Sequence, residues 1–189
     1  SMKKFHFTII LFGLVSNLFS QERPFRISLN MGQQNLIGIN LEYVTKLMNQ
    51  KFAPTIDFSS LSSIENQIDY KFTFVELGSN YYLSKNSNKG GYTHLSVSST
   101  KFKGTYQDYH LGVGEGETNI SSLNFKIGIK IGNKFFIRPE LGYCLVINDP
   151  IVEVRYIDPS STFMITILEQ VPDFFLSGVV FNLGIGFSF

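Results

Sequence analysis

The sequence predicts an all-β chain: an eight-stranded antiparallel up-and-down transmembrane β-barrel with a projecting external hairpin. Three observations predict it. The chain opens like an exported protein, its segments alternate large apolar residues with small or polar ones, and its turns alternate between short and long.

The opening comes first. Lys3 and Lys4 precede an almost uncharged apolar run from Phe5 to Leu18, and Leu18-Phe19-Ser20 places a small residue before Gln21. That is the layout of a signal peptide over residues 1–20, with Ser1 an added residue ahead of Met2. The run is shorter than the ~20 residues of a spanning helix. The exported domain is then 21–189, one domain's length.

Composition narrows the class. Losing Lys3 and Lys4 from 16 basic residues leaves 14 against 15 acidic, which gives no electrostatic case for nucleic acid. The single cysteine, Cys144, excludes an internal disulfide framework, and no Cys/His cluster suggests zinc. No cofactor or metal is expected. Charged residues make up only 16% of the chain, while Phe and Tyr number 19 and 9. After the leader no apolar run is long enough for a spanning helix. Backbone groups in hydrocarbon must be paired internally, so the remaining way to span is a closed barrel.

The last segment carries the pattern best. From Gly178 to Phe189 every odd position is large and apolar, and every even one except Val180 is small or polar. Strand side chains alternate between faces, so the bulky face meets lipid and the small polar face lines a crowded lumen. Residues 135–145 and 123–131 repeat the pattern, joined by a tight turn at Gly132-Asn133. Segments 25–33, 36–47, 51–61, 68–83 and 90–103 follow it less tidily. The phase slips near Phe74-Val75, which reads as a bulge. Pro54 and Pro139 are awkward inside a closed ladder and argue against the boundaries there. Eight strands put the short connections near 48–50, 84–89 and 132–133 on the periplasmic side. The long ones, 104–118 and 148–175, fall outside. On this threading Phe25, Tyr43, Phe52, Tyr81, Phe135, Phe187 and Phe189 point outward near the periplasmic end, an aromatic interface girdle.

Several stretches carry a resemblance: the Ser-Gln cleavage region, Ile39 to Tyr43, Glu76 to Leu83, Phe136 to Tyr143, and Leu183 to Phe189. With them the chain resembles the small outer-membrane β-barrels of Bacteroidota, a group broadly like the OmpA and OmpX transmembrane domains. The resemblance implies an outer-membrane location in a Gram-negative bacterium, contact with outer-membrane lipids, and a C-terminal strand read by the barrel-assembly machinery. It implies no activity.

Inward positions collect Arg26, Glu42, Asp57, Glu76, Lys126, Lys130, Arg138 and Glu140. An eight-stranded lumen is filled by side chains, and buried charges must pair. The expectation is an ion-pair network that plugs the lumen, with Arg138 and Lys126 against Glu76, Glu140 and Glu42. The alternative is a narrow, porin-like solute or ion channel.

Candidate chemistry is sparse. His94 and Ser96 share a strand face, and with Asp108 they would make a nucleophile, base and carboxylate like those of lipid A deacylases. They point inward, lie mid-chain and lack that family's flanking Asn-Ala, so a hydrogen-bonded lumen histidine is the plainer reading and no enzyme is expected. Gly112 to Gly116 lacks the Lys-Ser/Thr of a phosphate loop and reads as an external loop. Asp108, Glu115 and Glu117 show no calcium-loop spacing.

Residues 151–157 and 162–168 flank Asp158-Pro159-Ser160-Ser161, a type I turn sequence. They read as an external hairpin extending the last two strands, with Val152, Val154, Tyr156, Phe163, Ile165 and Ile167 as a docking face for an envelope protein by strand addition. The function expected is a structural or partner-binding envelope component. A secreted lipocalin-like carrier is the weakest alternative, since it requires a bulky apolar lumen.

Overall fold

Among the described residues ten strands follow one another: β1 (Phe25–Gly32), β2 (Leu36–Tyr43), β3 (Phe52–Glu65), β4 (Ile68–Tyr82), β5 (Gly90–Asp108), β6 (Gly112–Gly132), β7 (Phe135–Val146), β8 (Ile151–Ile157), β9 (Met164–Gln170) and β10 (Gly178–Ser188). The computed structural model describes residues 23–65, 68–84, 89–108, 112–148, 151–157, 164–170 and 178–189. The leader at 1–20 and Phe163 lie outside the described residues.

Eight of these strands close a barrel. β1 to β7 pair in chain order, β7 pairs with β10, and β10 returns to β1, every pairing antiparallel. The wall is inside out relative to a water-soluble core. Leu29, Ile39, Leu77, Leu95, Phe125, Leu141 and Phe181 are exposed, while Arg26, Asn30, Glu42, Glu76, Asn124 and Arg138 are buried. Period-two sequence produces this directly, because alternate side chains take opposite faces of the pleat.

The two prolines stay inside strands. The β2–β3 ladder ends at Glu42↔Thr55, so Pro54 pairs only on its β4 side, with Ser79. On β7, the pairing with β6 runs from Gly128↔Glu140 to Ile131↔Ile137 and omits Pro139, which keeps its partner Leu183 on β10. Each wall has a gap in its hydrogen bonding where the proline lacks an N–H. The strands therefore continue through both prolines, and β3 runs on to Glu65.

Three readings need correction. There is no bulge at Phe74-Val75: β4 runs in unbroken register against both β3 and β5. What changes there is polarity. Above that level Phe72 and Phe74 turn inward with Ile120, packed against Leu36, Leu61, Phe102 and Val146, while Lys71, Lys101 and Lys103 face outward. Second, 104–118 is not a loop. β5 and β6 continue as a paired ribbon to Asp108↔Gly112, and Gly114 and Gly116 belong to it. Third, the hairpin β8–β9 does not extend β7 and β10. β8 pairs with β6, Val113↔Ile157 to Glu117↔Glu153. The ribbon of β6 has outgrown β7, and β8 takes the edge that β7 leaves.

Beyond the closed barrel the upper parts of β3, β4, β5 and β6 thus join β8 and β9 in one open sheet. At the other end Val44, Ala53, Tyr82 and Tyr92 form a second buried cluster.

Candidate functional site: the lumen network

Arg26, Glu42, Asp57, Glu76, Lys126, Lys130, Arg138 and Glu140 are all buried inside the barrel. Their positions follow from strand parity: each shares the face opposite its strand's large apolar residues. That face is the even one, except on β3, where Asp57 is odd and Ile56 and Phe58 point out. Glu42 is the hub. Arg26 Nη1 contacts its Oε1, Arg138 Nη1 donates to its Oε2 at 2.7 Å, and Tyr82 Oη donates to Oε1 at 2.8 Å. Asn80 Nδ2 adds a fourth bond at 3.0 Å. Arg138 also donates to Asn40 Oδ1 at 2.8 Å. Its Nε lies 3.3 Å from Glu140 Oε1, an ion-pair contact without the alignment of a hydrogen bond. Glu140 accepts from Tyr92 Oη at 2.5 Å and Asn182 Nδ2 at 2.8 Å.

A second group forms around Glu76. Lys126 Nζ donates to both its oxygens, at 2.8 and 3.0 Å, and Asn124 Nδ2 donates to Oε2 at 3.0 Å. His94 joins the two groups: Nε2 is 3.0 Å from Glu76 Oε1, and Nδ1 is 2.7 Å from Asn80 Oδ1. Carboxylates that accept three or four bonds, with cations among the donors, are compensated for their desolvation.

Two of the eight take a different role. Asp57 accepts from Asn30 and Asn40 at 2.8 and 2.7 Å, amides rather than a cation. Lys130 lies over the Phe136 ring at 4.7 Å, with Nζ toward the carbonyls of Gly132 and Asn133.

Sequence reasoning missed the neutral half of the network: Asn30, Asn40, Asn80, Tyr82, Tyr92, Asn124 and Asn182. Their signal was the same inward parity, applied to amides and phenols as well as charges.

The girdle residues gather at the short-turn end in cross-strand pairs. Phe25 stands opposite Tyr43, Phe52 opposite Tyr81, and Phe135 opposite Phe187. Ring centroids are 4.8 Å apart in the first pair and 5.3 Å in the third. All but the half-buried Phe52 are exposed, Phe189 included. The hairpin positions fall in register as Val152↔Glu169, Val154↔Ile167 and Tyr156↔Ile165, with Val154 also opposite Gly116 on β6.

The His94–Ser96–Asp108 arrangement is not assembled. Both ring nitrogens of His94 are engaged by Asn80 and Glu76, not by Ser96. Asp108 lies fourteen residues along β5, about 45 Å at ~3.3 Å per residue.

No family model matches the sequence, and no curated protein matches it either. Among solved structures, the fold is similar to a major outer membrane protein from Thermus thermophilus. The TM-score is 0.55 at 12% identity, covering 87% of this chain and 98% of that one. Acinetobacter baumannii CarO aligns at TM-score 0.46 and 12% identity, covering 88% of this chain and 98% of its own. The fold is that of a bacterial outer-membrane barrel.

Proposed function

We propose that this chain is an outer-membrane barrel of a Gram-negative bacterium, exported by its leader, whose lumen is closed and whose work is done by its external sheet. The observation that carries the closed lumen is the bridge Arg26–Glu42–Arg138–Glu140. It links β1, β2 and β7 across the interior. Apolar clusters lie above it (Phe72, Phe74, Ile120) and below it (Val44, Ala53, Tyr82, Tyr92). Between the network and the upper cluster, a cavity lined by Asn35, Phe74, Lys126 and Asn182 holds about 10 Å³, room for one water molecule.

The outward apolar face supports the membrane placement. On β7 it runs from Phe135 to Leu145, ten steps along the strand, or about 26 Å at a ~40° strand tilt. On β4 and β5 the alternation changes sense above Glu76, with Phe72 and Phe74 turned inside and Lys71, Lys101 and Lys103 outside. The structural or partner-binding role rests on the six-stranded external sheet, whose β9 and upper β3 are its end strands.

Single-channel recording in planar bilayers tests the closed lumen: no steady conductance is expected, and sustained openings would return the narrow-channel reading. For partner binding, deletion of 151–168 should remove envelope proteins recovered with the barrel from native membranes. Recovery of every partner by the deletion variant would defeat that role.

A further inference from the structure

We propose that the short-turn end of the barrel is a collar that binds the anionic phosphate headgroups of the phospholipids packed around it, an inference that rests on the membrane placement above. Arg23, Lys46, Lys51, Lys89 and Lys134 occupy the approach to β1 and all three short connections. Arg23, Lys46, Lys89 and Lys134 are exposed and Lys51 is half-buried. The described residues of those segments include no Asp or Glu.

Their depth follows from the aromatic pairs. Arg23 is two residues before Phe25, Lys46 three after Tyr43, Lys51 immediately before Phe52, and Lys134 immediately before Phe135. The carbonyl of Lys89 accepts from Ser84 Oγ at 3.0 Å, which holds it beside a residue three past Tyr81. Three residues of chain reach at most about 10 Å, and the headgroup layer beyond the hydrocarbon is about 5–7 Å deep. Aromatic rings at the hydrocarbon edge therefore put these cations among the phosphates, with their methylene stems lying along the apolar wall. Leu47 and Met48, between Lys46 and Lys51, are 62% and 65% exposed. An apolar tip flanked by lysines suits the same interface.

The distribution selects the occupant. The cations are spread over four segments around the rim, and what surrounds a rim is a lipid leaflet, whereas a protein partner meets one side of it. The opposite rim is mixed in sign. There Lys101 and Lys103 share Glu117, the latter at 2.6 Å, and Glu115 stands opposite Arg155. The preference for anions belongs to the short-turn end.

Native mass spectrometry of the full chain tests this. The protein is released from bilayers of equal phosphatidylglycerol and phosphatidylcholine with matched acyl chains, and the retained lipids are counted. The expected result is phosphatidylglycerol enriched about fivefold over phosphatidylcholine, the ratio that one lysine contributes at an anionic surface. Enrichment should fall toward the bulk ratio in the Lys46→Gln, Lys51→Gln, Lys89→Gln, Lys134→Gln variant and persist in Lys101→Gln, Lys103→Gln. Bulk-ratio retention by the parent overturns the collar, and so does enrichment that survives the fourfold variant or disappears in the twofold one. Heat-modifiable gel mobility of each sample separates the two readings. A folded, inserted barrel without enrichment removes the collar alone, while a chain that never inserts removes the membrane placement and the collar with it.

Discussion

Arg138 on β7 and Glu42 on β2 meet across the lumen at 2.7 Å, although β1 and β10 lie between them in the wall. Glu42 is also the partner of Arg26. One carboxylate thus compensates two guanidinium groups that are both about 2% exposed.

Glu42→Gln keeps the shape and removes the charge, leaving both arginines facing a neutral amide. Breaking a buried ion pair from one side costs about 3–5 kcal/mol. Urea unfolding in lipid vesicles should show a loss of that size. Pairing Glu42→Gln with Arg138→Met should recover part of it, and simple addition of the two losses would argue against direct coupling.

Gly128 faces Tyr92 so closely that a Cβ there would lie 2.5 Å from the phenol Cζ and Oη. Gly128→Ala should push the ring away, break its hydrogen bond to Glu140, and cost about 1–3 kcal/mol. Gly178→Ala, where a Cβ meets nothing within 4 Å, is the control and should be close to neutral. Equal effects at the two sites would contradict the packing described.

Phe72→Ala and Phe74→Ala remove aromatic rings from the upper cluster. Each should lower stability by about 3–5 kcal/mol, yet bilayer recordings should remain silent because the network below is untouched. Conductance appearing in either variant would mean that the apolar cluster, not the ion pairs, is the barrier.

Glu117 accepts hydrogen bonds from Lys101 and Lys103 outside the apolar band, and these hold its carboxyl below the ordinary value. A depressed carboxyl contributes stability above its unfolded pKa, and that contribution is lost as pH falls through the folded value. The group is exposed, so the effect is small and screened by salt. Its NMR titration midpoint should rise in Lys101→Gln, Lys103→Gln. An unmoved midpoint would show that the pair does not persist in solution.

The barrel was legible because lipid makes a strict demand: from 178 to 189 nearly every residue states its face. The lumen charges followed from the same parity. The upper sheet was less legible for a physical reason. Parity is geometric and continues unbroken through Phe72 and Phe74, but the meaning of each face depends on the solvent outside it. Above the band, bulk turns inward and lysine outward, and the pattern that marks a membrane strand below becomes an ordinary amphipathic one. Read with a single code, the inversion looked like a bulge and the Gly-rich ribbon at 112–116 like a loop. The partner of β8 was hidden because pairing depends on how far β6 outruns β7, a length that composition does not record.

The seam between β1 and β10 bears on the order of assembly. It joins Arg26 to Ser188, pairings with nearly the whole chain between them, and such contacts are slow to form because the intervening loop entropy is lost first. Arg138 meets Glu42 across that seam, so the ion pair is complete only in the closed barrel. Interactions absent from the folding transition state govern the rate of opening rather than of closing. Removing the charges at the centre of the barrel should therefore speed its opening more than it slows its closing.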